Sequence, residues 1–177
     1  MRLTRLRQQI PTVIIISCLL LNSACGGSVL LKSFRVALAS SGPLVNALAA
    51  SGAIPQSKVT AIIADFDAGA SCALTLQQAF DASKSLPKDE QRRARFAAAS
   101  ESLRCWRVII ERQNFAVNSR VKQIADIAEG VLQSLVIFYS DTPIATATRG
   151  AARVKDEDAL EKQLKVKVDE MERLLKP

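Results

Sequence analysis

The chain has 177 residues, 24 of them Lys or Arg against 17 Asp or Glu, and 49% of hydrophobic type. That length fits one compact domain with a short extension, and the balance of apolar to charged residues excludes wholesale disorder. Histidine is absent, which excludes any His-based triad, His general base or His metal ligand, while 26 alanines and only 5% aromatics favour a helical core over a sheet.

At the N-terminus Arg2, Arg5 and Arg7 precede an apolar run from Ile10 to Leu21, and no acidic residue occurs before Asp65. A basic start, about a dozen apolar residues and a small-residue exit have the layout of a secretory signal peptide. As a helix the run spans about 18 Å, short of the hydrocarbon thickness of about 30 Å. Leu21, Ser23, Ala24 and Cys25, followed by Gly26-Gly27-Ser28, resemble the lipobox of bacterial lipoproteins, with Asn22 set between the leucine and the small residues. The resemblance covers residues 1–28 and implies a signal peptide over 1–24. It also implies that Cys25 is acylated as the first mature residue, that 25–28 form a flexible tether, and that the protein is held at the periplasmic face of a membrane. Gly26 after the cysteine is compatible, in that class, with transfer to the outer membrane. Ile15-Ile16-Ser17-Cys18 fits the short pattern too, but leaves Leu19-Leu20-Leu21 at the mature start without a tether. An uncleaved anchor extended through Val29–Leu31, with the body on the far side of the inner membrane, is the other alternative. Without Arg2, Arg5 and Arg7 the remainder carries 21 basic and 17 acidic residues, a net +4, and nothing in it points to nucleic acid.

Residues 29–150 read as a helical domain. Val29–Ala39 and Leu44–Ala50 are short apolar helices punctuated by Ser40-Ser41-Gly42-Pro43 and Ser51-Gly52. A helix from Ser57 to Ser83 follows, with Ser57 as N-cap and Val59, Ile62, Ile63, Phe66, Ala70, Ala73, Gln77 and Phe80 on one stripe. Pro87 with Asp89 and Glu90 restarts a helix. From there to Ser140 the stripe Leu103, Trp106, Ile110, Val117, Val121, Ile124, Ala128, Val131, Leu135 and Phe138 is nearly unbroken. It reads as one long helix, or as two divided near residues 114–119. After Asp141-Thr142-Pro143 and a small-residue loop, a C-terminal amphipathic helix from Lys155 to Leu175, within a segment 151–177, carries the narrow stripe Leu160, Leu164, Met171 and Leu174. Such a stripe between dense charges docks onto the bundle or onto a partner. These four residues are the candidate contact with an envelope protein. The fold class expected is all-α, a hairpin or bundle whose spine is the Ser57–Ser140 segment.

Cys72 and Cys105 fall on opposite arms of that hairpin. About one helical turn of offset separates them from direct opposition, within reach of a disulfide, which an exported domain permits. The other reading is two buried free thiols. Asp65 and Asp67 diverge by about 200° around a helix and read as a solvated face. Arg92, Arg93, Arg95, Arg104, Arg107 and Arg112 give a basic cast that fits either solvent or anionic headgroups, with Arg104–Glu101 and Arg112–Glu111 as intrahelical pairs. Trp106 reads as core. Gly-rich phosphate loops, metal-spaced cysteines and a Gly-x-Ser-x-Gly elbow are missing from the sequence, so no cofactor, metal or catalytic residue is assigned. The function expected is a non-catalytic binding or scaffolding module on a lipid anchor. The alternatives are an envelope enzyme built on carboxylates or a metal, and a membrane-perturbing protein acting through Val131–Tyr139.

Overall fold

The structure, a computed structural model, describes residues 26–140 and 156–176. The described residues form six α-helices and no strand: α1 Gly26–Ala39, α2 Gly42–Ala50, α3 Val59–Ser83, α4 Lys88–Ile110, α5 Ser119–Tyr139 and α6 Glu157–Leu175, with short 3-10 turns at Gln56–Lys58 and Asn114–Val117. The all-α expectation holds. Gly26, Gly27 and Ser28, expected to be a tether, instead open α1. Ser57 does not cap α3; it lies in the 3-10 turn ahead of it, and Lys58 takes the cap position without a side-chain bond. Pro87 caps α4 from just outside, with Asp89 and Glu90 in the first turn, where acids complement the helix dipole.

The long helix over 88–140 is corrected to two. The chain leaves α4 after Ile110, Gln113 takes the left-handed conformation (φ 58°), and Asn118 starts α5 afresh. Its carboxamide oxygen accepts from the backbone N–H groups of Arg120 (2.9 Å) and Val121 (3.3 Å), satisfying two donors that a helix start leaves bare. The break also buries Phe115, whose ring lies 4.7 Å from that of Phe66 and 5.7 Å from that of Trp106. The stripe read as one seam is two seams on antiparallel helices.

The spine is therefore not a hairpin with other pieces laid on it. Packing runs from α1 to α3, α3 to α4, α4 to α5, α5 to α6, and α6 back to α1, which closes a ring of five helices, while α2 rests against α3. Connections of a few residues make α3, α4 and α5 alternate in direction. Tyr139 meets Glu157 at one end of α5, and Arg120 reaches the Leu174 and Lys176 carbonyls at the other, so α6 is antiparallel to α5. Val36, Ser40 and Pro43 share a groove with Glu172, Leu175 and Lys176, which sets the C-terminal end of α1 beside that of α6. The starts of α1 and α6 thus share the end of the bundle that holds the α3–α4 turn.

Each helix contributes large side chains to the common interior: Phe34 and Leu38, Ile62, Phe66 and Leu76, Trp106, Ile124 and Val131, and Met171 are all fully buried. Each such burial is worth about 1.5–3 kcal/mol. Gly69 allows the closest approach. A Cβ there would lie 2.0 Å from Trp106 Cζ3, so the indole sits directly on the α3 backbone, and its Nε1 donates to the Ala125 carbonyl at 3.2 Å. One side chain thereby ties α3, α4 and α5 together. By length and composition the segment Gln56–Ser83 is long and apolar enough to cross a membrane, but Ile62, Phe66, Ala73 and Leu76 on it face the core.

Candidate functional site

The concave surface of the bundle follows α1. On one flank, Arg35, Val36 and Ala39 face Asp67, Ser71 and Leu74 of α3 across an open groove of about 530 Å³. On the other flank, Val36, Ser40 and Pro43 face Glu172, Leu175 and Lys176 across a groove of about 350 Å³. Val36 stands on the ridge between them, half exposed. The first groove is apolar along its floor, and the buried Arg35 Nε there has no hydrogen-bond partner. A buried donor left in that state is costly, so an acceptor placed against Arg35 would be favoured. Among the described residues no group of three or more Cys, Asp or Glu side chains converges to hold a metal ion.

Three polar clusters pin the bundle around these grooves. At the end holding the α3–α4 turn, Arg95 is largely buried and donates to Glu157 (2.6 Å), to the Tyr139 hydroxyl (3.2 Å) and to Ser83 Oγ (3.2 Å). Its guanidinium also lies over the rings of Phe80 and Tyr139, at 5.3 and 5.6 Å. Tyr139 donates to Glu157 at 3.0 Å. Burial first, and the Glu157 charge second, push the phenol up to about 12. Beside it, Arg92 donates to the carbonyls of Phe138, Tyr139 and Ser140, where a cation suits the exposed end of α5.

At the opposite end Asp65 is buried, contrary to its reading as a solvated acid. Arg112 and Asn114 donate to its two oxygens at 3.0 and 2.8 Å. Arg112 thus pairs across the fold and not with Glu111, whereas Arg104 and Glu101 do pair at 2.5 Å. The carboxylate fixes the turn that separates α4 from α5. In the middle, Lys167 Nζ donates to the Gly130 carbonyl (2.8 Å) and to Ser134 Oγ (3.1 Å), and burial lowers its ammonium below the ordinary lysine value. A serine beside a desolvated lysine is the residue set of a nucleophile and its base. Here Ser134 also donates to the Gly130 carbonyl, at 2.7 Å, so both groups are committed to one helix carbonyl and serve to seat α6 on α5.

The residues singled out by sequence fare differently. Cys72 and Cys105 stand at disulfide distance, with Cα atoms 6.4 Å apart, so the predicted juxtaposition of α3 and α4 is met. Leu160, Leu164 and Met171 are buried and Leu174 is half-buried against the bundle. The docking stripe is filled by the chain's own core, which corrects its assignment as a contact face for a partner. The membrane-perturbing segment Val131–Tyr139 is equally enclosed, with Val131, Leu132, Leu135 and Tyr139 buried. Cys25 and the leader lie outside the described residues. The Arg35 groove, the Arg95–Tyr139–Glu157 cluster and the Lys167 seat were missed, since each joins residues far apart in the chain. Only the Tyr139 position, at the end of an apolar stripe ahead of a helix stop, carried any signal. No family model, curated protein or solved structure matches the chain.

Proposed function

We propose that this chain is a lipid-anchored cell-envelope protein whose helical body is a non-catalytic binding or spacing module. The observation that carries the reading is a continuous one. Three arginines, an apolar run too short to span, and Leu21, Ser23, Ala24 and Cys25 are followed at once by a body that folds from Gly26 onward. Two or three acyl chains on Cys25 hold a protein stably, since each buried methylene contributes about 0.8 kcal/mol and one chain alone is marginal. Anchoring confines the bundle to the membrane surface and raises its effective concentration for partners there. Because the stripe of α6 is occupied, the contact surface for an envelope partner moves to the two grooves beside α1.

Expression of the full chain in a bacterium with two membranes, followed by fractionation, tests the anchor. The unaltered chain is expected in the membrane fraction and the Cys25→Ala chain in the soluble periplasmic fraction. A Cys25→Ala chain that stays with the membrane sinks the reading.

A further inference from the structure

We propose that the α3–α4 turn is the foot of the molecule, resting in the anionic headgroup layer of the bilayer that holds the acyl chains. The inference rests on the lipid anchor at Cys25 proposed above. Its own argument is one of position. Covalent continuity puts Cys25 at the first residue of α1, and α1 has no free linker between the two. Ser40 shares its groove with Asp67, and α1 runs antiparallel to α3 from there. Fourteen residues at about 1.5 Å each reach back about 21 Å, to about the level of Asp81. Anchored there, the body cannot stand off from the membrane by more than the cysteine side chain allows.

Everything past that level lies on the membrane side. With Cys72 opposite Cys105, Asp81 lies near Phe96, so the turn and the first two turns of α4 project about 10 Å beyond the start of α1. That projection is the depth of a headgroup layer. Its surface suits the place. Leu86 at the tip and Phe96 on the flank are among the few large apolar side chains exposed in the described residues, and Lys88 and Arg93 are exposed between them. From residue 84 to 93 the chain carries Lys84, Lys88, Arg92 and Arg93 against Asp89 and Glu90, an excess of cations that anionic headgroups attract.

The test uses the full acylated chain in vesicles of phosphatidylethanolamine and phosphatidylglycerol with a nitroxide on the upper acyl chain. A tryptophan is placed at the foot (Leu86→Trp) or at the opposite end (Lys58→Trp). Both sites are exposed, and Trp106 is a constant buried background. The Leu86→Trp emission is expected to fall about two-fold or more, as for a side chain within the headgroup boundary, with Lys58→Trp unchanged. An acylated chain that floats with the vesicles but shows no quenching at Leu86→Trp overturns the foot and leaves the anchor standing. Equal quenching at both sites overturns it too. A chain with no acyl mass that fails to float overturns both readings.

Discussion

Substituting Gly69 by alanine sets two effects of opposite sign against each other. In an exposed helix interior the change stabilises by about 1 kcal/mol, because alanine loses less backbone freedom than glycine. At Gly69 the new methyl would lie 2.0 Å from Trp106 Cζ3 and 2.7 Å from Cε3. Carbon pairs pack at about 3.5–4 Å, so the indole or the α3 backbone must retreat by about 1.5 Å. Trp106 has nowhere to go. It is 1% exposed, lies against Phe115 and donates to Ala125 from the opposite edge. Overpacking of this kind costs about 1–3 kcal/mol or more, and the strained indole hydrogen bond about 1 kcal/mol. The net is a loss of about 2–3 kcal/mol, which for a domain of this size lowers the melting temperature by about 5–10 °C. Urea unfolding followed by circular dichroism and by Trp106 emission reads it directly. Gly130→Ala serves as the comparison, since a Cβ there meets only the flexible end of Lys167 at 3.1 Å. A Gly69→Ala protein as stable as the parent, or more so, refutes the packing of Trp106 on α3.

Three further expectations follow from the same contacts. Alkylation under denaturing, non-reducing conditions should leave Cys72 and Cys105 unmodified. Replacing both by serine should cost up to about 4 kcal/mol, the chain-entropy value for closing a loop of sequence separation 33; quantitative alkylation without reductant contradicts the bond. Asp65→Asn should cost about 1.5–3 kcal/mol by weakening the charged hydrogen bonds to the 111–118 turn, whereas Asp67→Asn, on the exposed side, should change little; equal effects in urea melts would mean that Asp65 does not hold the turn. Tyr139 ionises about two units higher folded than unfolded, so the stability it lends is whole below pH 10 and drains away as pH rises toward about 12. Tyr139→Phe should lose about 1 kcal/mol at neutral pH and show a shallower alkaline decline than the parent; an unchanged decline assigns it to other groups.

Helical periodicity located the apolar faces of α3, α4, α5 and α6, because a core-facing stripe repeats every three or four residues whatever it packs against. For the same reason it could not tell one long helix from two. The stripe resumes in phase after Asn118, and the break is written in a single left-handed residue, Gln113, and a cap, Asn118. Nor does periodicity name the surface that a stripe covers. Leu160, Leu164 and Met171 would look the same docked on a partner as they do closing the ring against α5 and α1. Asp65 and Arg112 are 47 residues apart, and Arg95 and Glu157 are 62 apart; such pairs follow from the ring topology, which no local pattern encodes. The cysteines were legible because a hairpin with a short turn fixes its own register.

The anchor can be tested on one peptide. Purified from the membranes of a two-membraned bacterium expressing the full chain and digested, the protein should yield an N-terminal peptide beginning at Cys25 and carrying the mass of two or three fatty acyl chains with glycerol. A peptide beginning at Met1, or an unmodified cysteine at the N-terminus of a soluble protein, contradicts the account.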